Sequence, residues 1–598
     1  MEDTILNCRY KFMHRIAGII FSLAALILLS GNTGFAANAE KAADALNSLG
    51  LFSGSELGYE LERTPTRGEA LVMLLRLTGQ EADAAAQRRP HPFRDGGWAD
   101  AYIGYAYERG LTSGTSADTF GTGEDATARQ YAAFLLRALG YGDFDYEKSL
   151  SLLQANAPVV LPEGTRFTRG DMASMSLAAL GAPMADGSGT LAAHLADTGL
   201  FTWSGYQTAR DSLGASASVR TTILIYMVGG DLEPEWGEAT SDIKEIMAAD
   251  MGEDIQVVLQ AGGTKTWEND WMTDGGMQRF TFENGTIVPV SPLLEGVQMS
   301  EPQTLSNFLR WGVTAYPAQR YILIFWNHGG GTLYGYGCDD LNNKKWLSLG
   351  ELNQALSWAD VQFEMVGFDT CLMATMSTAY MLSGHADYLL ATEELEPAKG
   401  WRYTNWVTQL SSNPDAEIRQ LSEWIARDYL DDALKEDWPC ATISLIDLDR
   451  METVADAWRD VSAELVQRLE EGRYADVEQA LRGAKQYGQG TAYDQVDLVD
   501  FMTRLEGLDV GSAKALEKAA AEAVAYCAGT PEMDRSNGLA LYVPYTKYTR
   551  YPGKVRTSLL GCGYREEDLV FWDAFYAAVK EHGPQKLVWP KQPSGTKA

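Results

Sequence analysis

From residue 221 onward the chain alternates short, mostly apolar runs with amphipathic stretches. The runs at 222–228 (TILIYMV), 255–260 (IQVVLQ), 321–326 (YILIFW), 363–368 (FEMVGF), 387–392 (DYLLAT), 441–446 (ATISLI) and 539–544 (LALYVP) predict buried strands. Helical segments at 236–250, 302–316, 348–359 and 372–384 separate most of them. This alternation predicts an α/β unit with a largely parallel sheet covered by helices on both faces.

The first part of the chain has a different texture. Three segments between 44 and 182 close alike: TRGEALVMLLRLTG from Thr66, TARQYAAFLLRALG from Thr127 and TRGDMASMSLAALG from Thr168. In each, a threonine at an N-cap position is followed three residues later by Glu69, Gln130 or Asp171, then by an apolar helical run and a glycine stop. Each repeat therefore predicts a helix, a loop and a helix, and together they form a small all-α domain. Residues 183–219 lose this periodicity and gain Gly, Ser and Ala, which predicts a connector with one short helix.

At the start, Arg9, Lys11 and Arg15 precede an uncharged apolar run, Ile16 to Leu29, and Ala37-Asn38-Ala39 follows as a small-x-small site. That layout predicts a secretory signal over residues 1–39, too short to span a bilayer, with no stable membrane insertion once it is removed. The expected division is then repeats at 40–182, connector at 183–219, α/β domain at 220–585 and tail at 586–598.

Composition narrows the function. The formal charge of −32, from 81 acidic and 49 basic residues, repels phosphate backbones, so nucleic acid is excluded as a partner. The five cysteines beyond the signal are an odd number thinly spread over a large exported chain, which is not a disulfide framework. No CxxC or HExxH occurs, and the six histidines are scattered, so no metal site is expected.

The candidate chemistry sits at strand ends. His328 follows the 321–326 run and opens NHGGG, while Cys371 follows the 363–368 run in FDTCLMATMSTAY. Neighbouring parallel strands would bring both to one rim of the sheet, where reactive groups gather in α/β folds. His328 is then placed as base and acid beside the thiol. A helix starting just after Cys371 would favour the thiolate, and the N–H groups of Gly329 and Cys371 would bind a developing oxyanion. Taken alone, Cys371 is more simply a small buried hydrophobe and His328 a strand-end cap. His385 is a rival base. HGGG also resembles the oxyanion loop of lipases, but no GxSxG supplies their nucleophile.

Two family resemblances follow from these motifs. PFRDGGWADAYIGYAYERGLTSG with the recurring T-R-x-E ending resembles S-layer homology repeats over residues 44–182. This implies attachment to a secondary cell-wall polymer, with Arg67 and Arg169 at the family's arginine position. The middle repeat departs, with Ala128 there and Arg129 one place later. NHGGG and FDTCLMATMSTAY, with ILIYMVGGDLE, ATEELEPAKGWRY, ATISLIDLDRM, DQVDLVDF and NGLALYVPY, resemble the clostripain family of cysteine peptidases over residues 221–577.

That second resemblance implies a caspase-like fold, a protein or peptide substrate, a His328–Cys371 dyad, and Asp369 in a primary pocket for Arg or Lys. It also implies maturation by cutting between the dyad residues, for which Lys344 and Lys345 in DDLNNKKWLS are the candidate sites. No cofactor is required for this chemistry, and calcium enters through the resemblance alone. Two departures stand out: Ser377 where relatives carry glutamate, and Lys399 where an aspartate would line the pocket. Lys399 is expected either to pair with Asp369, weakening basic preference, or to turn away while Glu393, Glu394 or Glu396 supplies the second carboxylate. The expectation is an exported, wall-attached cysteine endopeptidase with reduced preference for basic residues. The competing expectation is an inactive peptidase-like surface protein.

Overall fold

A computed structural model describes residues 39–583 apart from 55–57, 143, 158–165, 183, 186–189, 212–218, 292 and 489–492, so the expected signal and tail lie outside the described residues. Among the described residues no helix is long and apolar enough to cross a membrane. The chain divides into two units, Met1–Ser216 and Ala217–Ala598.

The first unit is helical. The three repeat endings form helices Arg67–Leu77, Ala128–Ala138 and Arg169–Leu180, each opened by the expected capping box at Thr66, Thr127 and Thr168. Gly79 and Gly140 stop the first two in left-handed conformation, at φ of 71° and 90°, whereas Gly181 does not leave the right-handed region. The segment expected as a connector holds two helices, Leu191–Asp197 and Trp203–Asp211, rather than one. Their Leu191, Leu195, Tyr206 and Ala209 are buried in this unit's core, so these two helices pack into the fold of the first unit.

The second unit is built on a ten-stranded sheet. Its strands are β1 (Val219–Val228), β2 (Ile255–Gly262), β3 (Gly276–Glu283), β4 (Thr286–Pro289), β5 (Leu294–Glu295), β6 (Ala318–Trp326), β9 (Phe363–Asp369), β10 (Ala386–Ala391), β11 (Thr442–Asp447) and β14 (Val524–Gly529). A hairpin, β7 (Tyr336–Asp339) with β8 (Lys345–Leu347), and a small sheet of β12 (Gln486–Tyr487), β13 (Gln495–Asp497) and β15 (Ala540–Tyr542) complete it. The order is β14-β11-β10-β9-β6-β1-β2-β3-β4, with β5 on β3. The five central strands β10, β9, β6, β1 and β2 are parallel, and the flanking pairs are antiparallel.

Burial on both faces explains the unbroken apolar runs. Leu224, Tyr226, Leu323, Phe325, Val366 and Phe368 face one core, while Ile223, Ile225, Ile322, Ile324 and Met365 face the other. The run at 539–544, expected in the main sheet, instead lies in the small sheet as β15.

Candidate functional site

Strands β6 and β9 are neighbours, in a register that pairs Trp326 with Asp369. His328 and Cys371 each lie two residues beyond that pair, so the parallel pairing carries both to the carboxyl rim. The three glycines after His328 answer to three separate close approaches. A Cβ on Gly329 would stand 1.9 Å from the Cys371 carbonyl oxygen, one on Gly330 would stand 2.5 Å from Tyr334, and one on Gly331, at φ 54°, would overlap Gln495. Only a residue without a side chain lets the histidine turn lie against the cysteine turn.

His328 is held from two further sides. Its Nε2 lies 2.8 Å from Oδ1 of Asp231, and its ring stacks on Trp346 with centroids 6.2 Å apart. The other carboxylate oxygen of Asp231 accepts from Lys344 Nζ at 3.2 Å. Asp231 follows Gly229-Gly230 at the carboxyl end of β1, the strand beside β6. Sequence reasoning missed it, although a place just beyond a strand's carboxyl end is the same signal that placed His328 and Cys371.

Cys371 differs from expectation. The following helix, Met376–Leu382, begins five residues later with Thr375 as its cap, and Leu372 between them is left-handed at φ 69°. The helix start therefore does not reach the sulfur. What reaches it is the Glu396 N–H, 3.2 Å from Sγ. Burial pushes the thiol up to about 12, with the Glu396 charge adding to the shift, so the resting group is a thiol. Small-sheet residues seat this turn: Gln495 Nε2 donates to Leu372 O at 3.2 Å, and Ala540 N–H donates to Ala374 O at 2.8 Å.

A group of carboxyls lies beneath the rim. Asp369 is buried and accepts from the Trp401 N–H at 3.1 Å and the Tyr403 hydroxyl at 2.8 Å. Burial pushes it up to about 7. Asp242, bonded to the Trp326 indole N–H at 2.6 Å, and Glu396 are raised by burial and then by the charge of Asp369. Among the described residues no Lys or Arg pairs with any of these three, and Glu396 Oε1 is buried without a well-formed partner. Lys399 is not in this group. Its exposed ammonium pairs with Glu436, the residue that caps the helix Ile418–Lys435, so Lys399 turns away from Asp369, as in the second of the two expected placements. Glu393 and Glu394 bond instead to Tyr487 and to the Gly488 N–H, behind the nucleophile turn.

Other expected residues fall as follows. The His385 carbonyl accepts from Phe363 N–H at the amino end of β9, which puts His385 roughly 20 Å along the strand from Cys371 and removes it as a base. Ser377 is buried in the Met376–Leu382 helix. Lys344, at φ 56°, is held by Asp231, and Lys345 opens β8 and pairs with Glu301 and Glu351. In the first unit, the Arg67 guanidinium is enclosed between the Phe120 and Phe134 rings and donates to Phe120 O at 2.9 Å. Arg169 is half-buried over Phe52 and donates to Tyr59 O. The five described cysteines are free. Among the described residues no three His, Cys, Asp or Glu side chains are grouped to hold a metal ion.

Several known proteins are similar to parts of this chain. Clostripain of Hathewaya histolytica is 24% identical over 314 residues, which is 42% of this chain and 59% of that protein. The chain thus matches about three-fifths of that relative's length. Among solved structures, a secreted C11 cysteine protease from Bacteroides thetaiotaomicron, in complex with an irreversible peptide inhibitor, overlays 58% of this chain and 100% of its own, at 19% identity and a TM-score of 0.44. An inactive zymogen C11 protease from Parabacteroides distasonis overlays 60% of this chain and 99% of its own, at 21% identity and a TM-score of 0.42. The profile of the Clostripain family matches residues 225–548, from within β1 to beyond β15, and so takes in both strand-end turns. Spanning more than half of its residues, that match makes this chain a member of the clostripain family.

Proposed function

We propose that the second unit is a cysteine endopeptidase in which Cys371 is the nucleophile and His328 its base and acid. The observation that carries this reading is the paired register of β6 and β9, which sets both residues on one rim with Gly329 against the Cys371 carbonyl. Because the resting group is a thiol, its proton leaves as the sulfur attacks. His328 takes that proton while the S–C bond forms and the peptide carbonyl electrons move onto oxygen, which the N–H groups of Gly329 and Cys371 stabilise. Collapse breaks the C–N bond, and His328 returns the proton to the leaving amine. Water activated by His328 then hydrolyses the thioester.

The buried carboxyls of Asp369 and Glu396, with no cation of their own, support a preference for Lys or Arg before the cut, and Glu396 takes the part expected of a second carboxylate. Maturation by cutting at Lys344 or Lys345 belongs to the same proposal, as do export and attachment to a secondary cell-wall polymer. In the first unit Arg169 is the open candidate for the polymer, whereas the enclosed Arg67 serves the fold. The decisive test is a peptide-library digest by the purified protein and its Cys371→Ala form, together with alkylation of Cys371. Cleavage after basic residues that Cys371→Ala abolishes, and alkylation of Cys371 that His328→Ala slows, are expected. Equal cleavage by both proteins would refute the assignment of Cys371, and no cleavage by either would favour a non-catalytic surface protein.

A further inference from the structure

One polar contact at the rim is not used by the dyad chemistry: that between His328 and Asp231. Asp231 occupies the N-cap position of the helix Leu232–Trp236, where an aspartate ordinarily accepts from the helix's first N–H groups, yet its side chain makes no capping bond. Both oxygens go elsewhere: Oδ1 to His328 Nε2 and Oδ2 to Lys344 Nζ. The backbone is shaped for this. Gly230 is left-handed at φ 54°, and a Cβ there would stand 2.7 Å from the Cys338 carbonyl oxygen and 2.9 Å from Asn327 Nδ2. Asn327 in turn donates to Val228 O, which sews the turn after β1 to the turn after β6. Asp231 is thereby fixed relative to His328 by the residue next to His328 itself.

The contact decides the state of the imidazole. The bond to His328 and the Lys344 ammonium hold the Asp231 carboxyl well below the usual carboxylate range, so it is ionised and can only accept. Nε2 must then carry the hydrogen, and in the neutral ring Nδ1 is the lone-pair nitrogen. Stacking on Trp346 holds the plane of the ring, and the carboxylate fixes its rotation within that plane.

We infer that Asp231 is a positioning residue that completes a Cys371–His328–Asp231 arrangement, fixing the tautomer that presents Nδ1 of His328 to the thiol and supporting the imidazolium once the proton has moved. This rests on the assignment of His328 as the base. Both Asp231 oxygens are taken, by His328 and Lys344, so its effect on the thiol must pass through His328, and that is testable.

The rate of Cys371 alkylation by iodoacetamide, followed on the Cys371 peptide by mass spectrometry, is measured in the full chain for Asp231→Ala, Asp231→Asn, His328→Ala and the Asp231→Ala/His328→Ala double variant. Steady-state kinetics on a Lys peptide and thermal midpoints accompany it. Asp231→Ala is expected to slow alkylation and kcat by about 10- to 100-fold with KM within about twofold. Asp231→Asn, which keeps an acceptor oxygen, should recover part of the loss. The double variant should be no slower than His328→Ala, since the same pathway has already been cut. Asp231→Ala within twofold of wild type, or losses that multiply in the double variant, would overturn the inference. An active His328→Ala protein would instead remove the base assignment on which it stands.

Discussion

Replacing Gly329 by alanine tests the placement of the two turns directly. The added Cβ would lie 1.9 Å from the Cys371 carbonyl oxygen and 2.6 Å from Thr370 Oγ1, whereas real Cβ contacts do not fall below 3.0 Å. The turns must therefore part by at least the difference, about 1.1 Å. Neither can yield at its tip alone. Gly337 N–H holds His328 O at 2.9 Å, and Leu372 N–H holds Glu394 O at 3.1 Å. A displacement of roughly 1 Å between reacting groups lowers turnover by about 10²-fold, equivalent to about 2.7 kcal/mol in the barrier.

The assay is kcat and KM on a fluorogenic Lys peptide, with thermal midpoints. Gly384→Ala serves as control, since a Cβ there meets nothing within 4 Å. The expectation is a 100-fold lower kcat for Gly329→Ala with KM little changed, and wild-type behaviour for the control. A Gly329→Ala enzyme with kcat within threefold of wild type would refute the argument that these two backbones must touch for the dyad to work.

Three further expectations follow from the same rim. Asp369 is raised in the fold from its ordinary 3.8 to about 7, so its contribution is fully present below pH 4 and is lost as pH rises toward 7. The thermal midpoint of wild type minus that of Asp369→Asn should fall across that window, and a rise would have the wrong sign. Glu396→Gln should reduce kcat/KM for Lys relative to Ala substrates by about tenfold, roughly 1.4 kcal/mol, while Lys399→Ala, whose ammonium faces Glu436, should leave the ratio within threefold. The reverse ranking would return Lys399 to the pocket. His385→Ala should keep kcat within twofold, because His385 is bonded to Asn353 at the opposite end of β9, and a hundredfold loss would restore it as a base.

Much of this architecture is legible in the sequence because burial on both faces leaves an unmistakable mark. The runs ending at Trp326 and Phe368 announce both strands and, by their ends, His328 and Cys371. The capping boxes at Thr66, Thr127 and Thr168 are local and read directly. The antiparallel edges are harder. β3 (GMQRFTFE) mixes polar and apolar positions, and β14 (VAYCAG) follows an alanine-rich helix, Ala513–Ala523, whose composition it continues. Contacts across long separations leave no local trace at all. Asp231 meets His328 across 97 positions, and Lys399 meets Glu436 across 37, so both depend on which strands and helices become neighbours. The start of the helix after Cys371 was misplaced for a subtler reason. Leu372 adopts a left-handed turn that glycine ordinarily marks, and nothing in its side chain advertises it.

The seating of the nucleophile turn has a consequence for the chain as it is made. Leu372 O and Ala374 O are held by Gln495 and Ala540, residues added more than a hundred positions after Cys371. At about 5–20 residues per second, roughly eight to thirty-five seconds separate synthesis of Cys371 from synthesis of the segment carrying Ala540. Throughout that interval the nascent polypeptide contains His328 and Cys371 but not the supports that seat the turn after the cysteine. On the proposed assignment, a ribosome-bound product that stops short of Ala540 therefore lacks the supports of the nucleophile turn, and peptidase activity would arrive only after they have been made.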